Sequence, residues 1–87
     1  DLIMTWHALE RMKIWNLDIS RVLLTLLDPE EVVVGHHRRY IAHRRYGEHV
    51  LRAVYEHIDL PIVITVYFPS AERYFRGGGK YADKILS

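Results

Sequence analysis

Arg38-Arg39-Tyr40-Ile41-Ala42-His43-Arg44-Arg45-Tyr46-Gly47-Glu48-His49-Val50-Leu51-Arg52-Ala53-Val54-Tyr55-Glu56-His57 decides the fold. Gly47-Glu48 splits it into two β-rich runs, and a glycine-first pair suits a two-residue hairpin turn. Such a turn pairs Tyr46 with His49 and fixes the register behind it. Arg44 then faces Leu51, Ala42 faces Ala53 and Tyr40 faces Tyr55 on one side. Arg45 faces Val50, His43 faces Arg52, Ile41 faces Val54 and Arg39 faces Glu56 on the other. Alternation along a strand forces this division once the turn is set. The first side is largely apolar and the second is basic.

Toward the N-terminus the apolar period becomes that of a helix. Residues 5–15 place Ala8, Leu9, Met12 and Trp15 on one stripe, with Thr5 as N-cap and Asn16 able to end the helix in a left-handed conformation. Trp6 and Trp15 are expected in the core. A second helix is predicted over Arg21–Asp28, with Ser20 as N-cap and Ile19 and Leu24 as a hydrophobic staple. Val22, Leu23, Leu26 and Leu27 form its apolar face, and Pro29 stops it.

Beyond Pro29 the period is two. Glu31–Gly35 reads as a short strand before the hairpin. Leu60–Phe68 is a β-branched run after it, ending at Pro69-Ser70. Ile62, Ile64, Val66 and Phe68 suit the helix side of that strand, leaving Val63, Thr65 and Tyr67 for the other. The expected architecture is α+β: two N-terminal helices packed on one face of a four-stranded antiparallel sheet, as one domain over residues 1–72. Residues 73–87, with Gly77-Gly78-Gly79, read as a flexible tail whose Tyr81, Ile85 and Leu86 could form a short docking helix.

The chain is 87 residues long with a net charge of +1, enough for one domain. Cysteine is absent, which excludes disulfides, thiolate metal sites and thiol nucleophiles. No apolar run approaches the ~20 residues of a membrane helix. With no charged-then-apolar leader in view, a cytoplasmic protein without a membrane partner is expected. Glutamine is absent, asparagine occurs once and arginine outnumbers lysine nine to three. That composition suits a thermophilic source, and chance alone in so short a chain.

The charge is unevenly laid out. Residues 1–35 carry −3, whereas residues 36–52 carry five arginines against Glu48 and four of the six histidines. If these converge, they make an electropositive surface. The basic side of the hairpin, extended by the last strand, gathers Arg39, His43, Arg45, Arg52, Thr65 and Tyr67. A solubilised sheet surface is the plain explanation; an anion-binding palm is the functional one.

RNA cleavage needs no metal: a base takes the 2′-hydroxyl proton, positive charge stabilises the phosphate and an acid protonates the leaving oxygen. Arginine fits the middle role, histidine the proton transfers, and tyrosine can stack on a base or donate a proton. No basic recognition helix supports DNA reading. His36, His37 and His43 have no partner at zinc-ligand spacing. Gly77–Gly79 before Lys80 lacks the strand and pattern of a phosphate loop. No metal or other cofactor is implied.

The segment His7-Ala8-Leu9-Glu10-Arg11-Met12, then Ile19-Ser20 opening a Val/Leu-rich helix, the arginine-bearing hairpin and Ile64-Thr65-Val66-Tyr67 resemble a small family. It is known as domain of unknown function 4258, near the RelE, ParE and BrnT toxins of toxin–antitoxin modules. The resemblance covers roughly residues 3–70. It implies a RelE-like fold and a metal-independent endoribonuclease, an mRNA-interferase-like toxin acting on RNA, free or on the ribosome, and blocked by a cognate antitoxin. Carried over residue by residue, its active-site positions fall on His7, Arg11, Arg52, Thr65 and Tyr67. The basic side of the sheet itself offers Arg39, His43 and Arg45 as candidate substrate-binding residues. Each has a structural alternative: His7 capping a helix or strand end, Arg11 pairing with Glu10 or Asp18, Thr65 simply forming strand. A non-catalytic RNA- or protein-binding module, or a ParE-type toxin that inhibits a protein target, are the competing readings. An antitoxin would lay a helix or strand over an apolar groove or sheet edge.

Overall fold

The computed structural model describes residues 2–35, 37–73, 75–76 and 80–81. The chain is α+β, with strands β1 (Ile3–Met4), β2 (Glu31–Val34), β3 (Arg39–Tyr46), β4 (His49–His57) and β5 (Pro61–Tyr67). Helices α1 (Trp6–Trp15) and α2 (Ile19–Leu27) lie between β1 and β2. The sheet is five-stranded and mixed, in the order β1-β5-β4-β3-β2, rather than four-stranded and antiparallel. The extra strand β1 pairs parallel with β5, Ile3 against Ile62 and Met4 against Val63. Two residues are too few to show a period, which is why the sequence does not reveal it.

The hairpin register is the one the turn dictates, from Tyr46 opposite His49 to Arg39 opposite Glu56. Gly47 sits at φ +61°, a conformation a glycine adopts without a Cβ penalty. The β5 assignment needs correction. Thr65 pairs with Val54 but Val63 pairs with Tyr55, so Ile64 is an extra residue in a bulge. The bulge shifts parity, sending Val63 to the helix side and Ile62, opposite Glu56, to the other.

Thr5 caps α1 as expected: its Oγ1 accepts from the Ala8 amide at 3.1 Å, and Asn16 closes the helix at φ 54°. Thr5 Oγ1 also donates to the Ile64 carbonyl at 2.8 Å, fastening the helix start to the bulge. For α2 the cap is Asp18 rather than Ser20, since Asp18 Oδ1 accepts from the Arg21 amide and the helix begins at Ile19. The core joins Ala8, Met12, Leu17 and Val22 to Leu51, Ala53, Val63 and Val66. Both helices therefore cover one side of the sheet. Burying a valine or leucine there contributes about 1.5–3 kcal/mol.

The helices bury less than their sequences imply. Trp6 is 82% exposed, and Leu9, Trp15, Leu23 and Leu27 are also exposed. In α2 the fully buried positions are Val22 and Thr25, with Thr25 Oγ1 donating to the Arg21 carbonyl. After β5, a 3₁₀ turn at Ala71–Arg73 packs near β4. Next come the paired short strands β6 (Phe75–Arg76) and β7 (Lys80–Tyr81). Tyr81 is thus in a strand, not a helix, and the expected contributions of Ile85 and Leu86 lie outside the described residues.

Candidate functional site

On the side of the sheet away from the helices, the register brings together Arg39, His43, Arg45, Arg52, Thr65 and Tyr67. The centre of this side is closed. His43 and Arg52 are 0% exposed, and Ile41 and Val50, two residues along the same strands, are buried too. Arg52 NH2 lies 3.4 Å from His43 Nε2, and the guanidinium carbon sits 5.2 Å from the Tyr67 ring centroid. An arginine can only donate, so Nε2 is the acceptor of that contact. Burial, and after it the Arg52 charge, lower the His43 pKa from 6.5 to about 3. The imidazole is therefore neutral at physiological pH and is a poor general acid.

The outlying arginines are engaged. Arg39 Nε lies 3.3 Å from Glu56 Oε2, and Arg45 Nε donates to the Gly47 carbonyl at 3.4 Å. They stand six residues apart on one strand, ~20 Å at strand rise, too far to grip one phosphate. Thr65 and Tyr67 are half-buried. His7 is exposed and Arg11 half-buried on α1, across the sheet from Arg52. The structure thus assembles Arg52, His43 and Tyr67, leaves Thr65 one strand pair along, and places His7 and Arg11 elsewhere. Arg44 belongs to the helix side, where NH1 meets the Asp28 carbonyl at 2.6 Å and Oδ2 at 3.2 Å. Among the described residues no three His, Asp or Glu converge as metal ligands would.

A second feature escaped the sequence reading. Ile19, Leu23, Leu24 and Leu27 of α2 are all exposed, Leu27 at 74%. Ile19, Leu23 and Leu27 recur at i, i+4 and i+8, which is one helix stripe. Beside it runs a groove of about 540 Å³ lined by Leu2, Leu23, Leu26, Leu27, Tyr55, His57 and Pro61. Tyr55 stacks on Tyr40 with ring centroids 5.5 Å apart, and burial, then Tyr40, raise its pKa. The available signal was the excess of leucines in α2: Leu23, Leu24, Leu26 and Leu27 cannot all face one sheet.

The groove is bordered by acids in sequence. Asp28 follows Leu27, and Asp59 lies between the exposed Ile58 and Leu60. No helix of the described residues is long and apolar enough to cross a membrane. Comparison with protein-family models, with characterised proteins and with solved structures finds no match.

Proposed function

We propose that the chain works by binding another protein, taking an amphipathic helix of that partner into the groove beside α2. The observation that carries this reading is the burial of a threonine while three leucines of the same short helix face solvent. A stripe so apolar is a helix-in-groove docking surface. The flanking, exposed Asp59 favours a partner helix whose apolar stripe is edged by lysine or arginine; Asp28 is already held by Arg44. The resemblance of residues 3–70 to the toxin-like family makes a cognate antitoxin the class of partner to try first. Co-purification with the product of the adjacent reading frame tests this. The parent chain forms a stoichiometric complex, and a Leu23→Asp, Leu27→Asp variant with unchanged circular dichroism does not. A parent chain that stays alone, or a variant that still binds, overturns it.

RNA cleavage is the second reading. It is favoured by the shared side of Arg39, Arg45, Arg52 and Tyr67. Because Arg52 is buried, this reading assigns first contact with RNA to the exposed Arg45, and Arg52 acts only if the cluster opens. Cleavage by the purified chain that is lost in Arg45→Ala supports it; intact RNA removes it.

A further inference from the structure

The edge strand β2 has its own unspent bonding capacity. Gly35 donates to the Arg39 carbonyl at 2.7 Å, and Val33 and Glu31 lie opposite Ile41 and His43. In an antiparallel ladder, alternate residues turn their backbone groups inward. Gly35, Val33 and Glu31 therefore spend theirs on β3, and Val32 and Val34 point N–H and C=O outward. Among the described residues no strand lies beyond this edge. The side chains of Val32 and Val34 share the helix side and are 44% and 67% exposed. Val32–Val34 carries no charge, proline or register shift, and Glu31 is the one charged residue of this short edge.

We infer that β2 pairs with β2 of a second copy of this chain, antiparallel, across a two-fold axis beside Val33. In that register Val32 lies opposite Val34 of the second copy, and about four backbone hydrogen bonds form, all from groups pointing outward. The two valine pairs meet on the helix side. Charge selects a second copy over an arbitrary extended peptide. Glu31 opens the strand, and Arg38 follows it in the turn. Antiparallel pairing sets the acidic end of each copy beside the basic turn of the other. The same two-fold relation satisfies both ends at once, as an isologous interface requires. No residue of β2 lines the groove beside α2, so the inference does not rest on the partner-binding reading.

Sedimentation equilibrium of the full chain, with amide exchange followed residue by residue, tests it. The parent chain is a dimer whose Val32 and Val34 amides exchange slowly, and added salt weakens the dimer. Val34→Pro removes an outward N–H that β3 does not use, and raises the dimer dissociation constant about tenfold or more. Val34→Lys, which keeps that N–H, checks that the loss does not come from backbone strain, and it also weakens the dimer. A monomeric parent at high micromolar concentration overturns the inference. So does a dimer that survives both Val34 variants, or one that is lost in Leu27→Asp alone.

Discussion

The Arg52 guanidinium and the His43 imidazole come from facing positions on neighbouring strands, 3.4 Å apart, in the interior of the protein. A charge so placed disfavours a second one. His43 accordingly folds as a neutral ring, with its pKa lowered from 6.5 to about 3 by burial and by Arg52.

That depression makes stability depend on pH. The unfolded chain binds a proton at His43 below about 6.5, and the folded chain resists binding it until about 3. The unfolded state gains protons first on acidification, so stability falls as pH drops through this window and levels off below it. Urea midpoints at pH 7 and pH 5 measure the effect. His43→Leu is expected to flatten this dependence; an unchanged slope would assign it to other groups.

Arg52→Ala is expected to destabilise the fold by about 3–5 kcal/mol. It leaves a cavity and strips His43 and the Tyr67 ring of their common neighbour. Arg52→Lys restores charge without the planar stacking surface, and recovers little of the loss. Thermal unfolding of the two variants decides this. A fully stable Arg52→Ala protein would contradict the buried position.

Thr5 joins α1 to β5 through one hydroxyl, which accepts from Ala8 and donates to Ile64. Thr5→Ala is expected to cost about 1–2 kcal/mol, at the upper end for an N-cap because both contacts go. Thr5→Ser keeps both and stays within about 0.5 kcal/mol of the parent in denaturant titration.

The two turns of the β2–β3–β4 meander respond oppositely to glycine exchange. Gly47→Ala meets no atom within 4 Å, so its cost is backbone strain alone at φ +61°, about 1–2 kcal/mol. Arg38 occupies φ 63° without being glycine. Arg38→Gly relieves that strain, and the added freedom of the unfolded chain offsets part of the gain. A net gain of about 0.5 kcal/mol is expected, read from the shift in unfolding midpoint.

Much of the sheet was legible. Gly47-Glu48 alone set the β3–β4 register, because a two-residue turn leaves no freedom behind it. Parity failed one strand later, where the Ile64 bulge inserts a residue that alternation cannot foresee. Asp18 outcompeted Ser20 as cap because α2 starts at Ile19, two residues earlier than its apolar stripe indicates. For the candidate site, alternation told correctly which side Arg39, His43, Arg45 and Arg52 share. It is silent on what lies over that side, and so the burial of His43 and Arg52 was out of reach. The groove was hidden for the converse reason: leucine in a helix reads as core, and Leu23 and Leu27 are not.

The parallel seam of β1 with β5 has a consequence for the order of assembly. Thr5 reaches the Ile64 carbonyl across 59 positions of chain, whereas the hairpin closes around its own turn. Loop-closure entropy favours the local event first. On the ribosome, β1 and α1 emerge well before β5 and wait for it before they have a strand to hold. A chain released before Pro61 would carry α1 with its anchor missing, exposing Ala8 and Met12 to whatever else is nearby. The molecule zips outward from Gly47 and is buckled last where Thr5 meets Ile64.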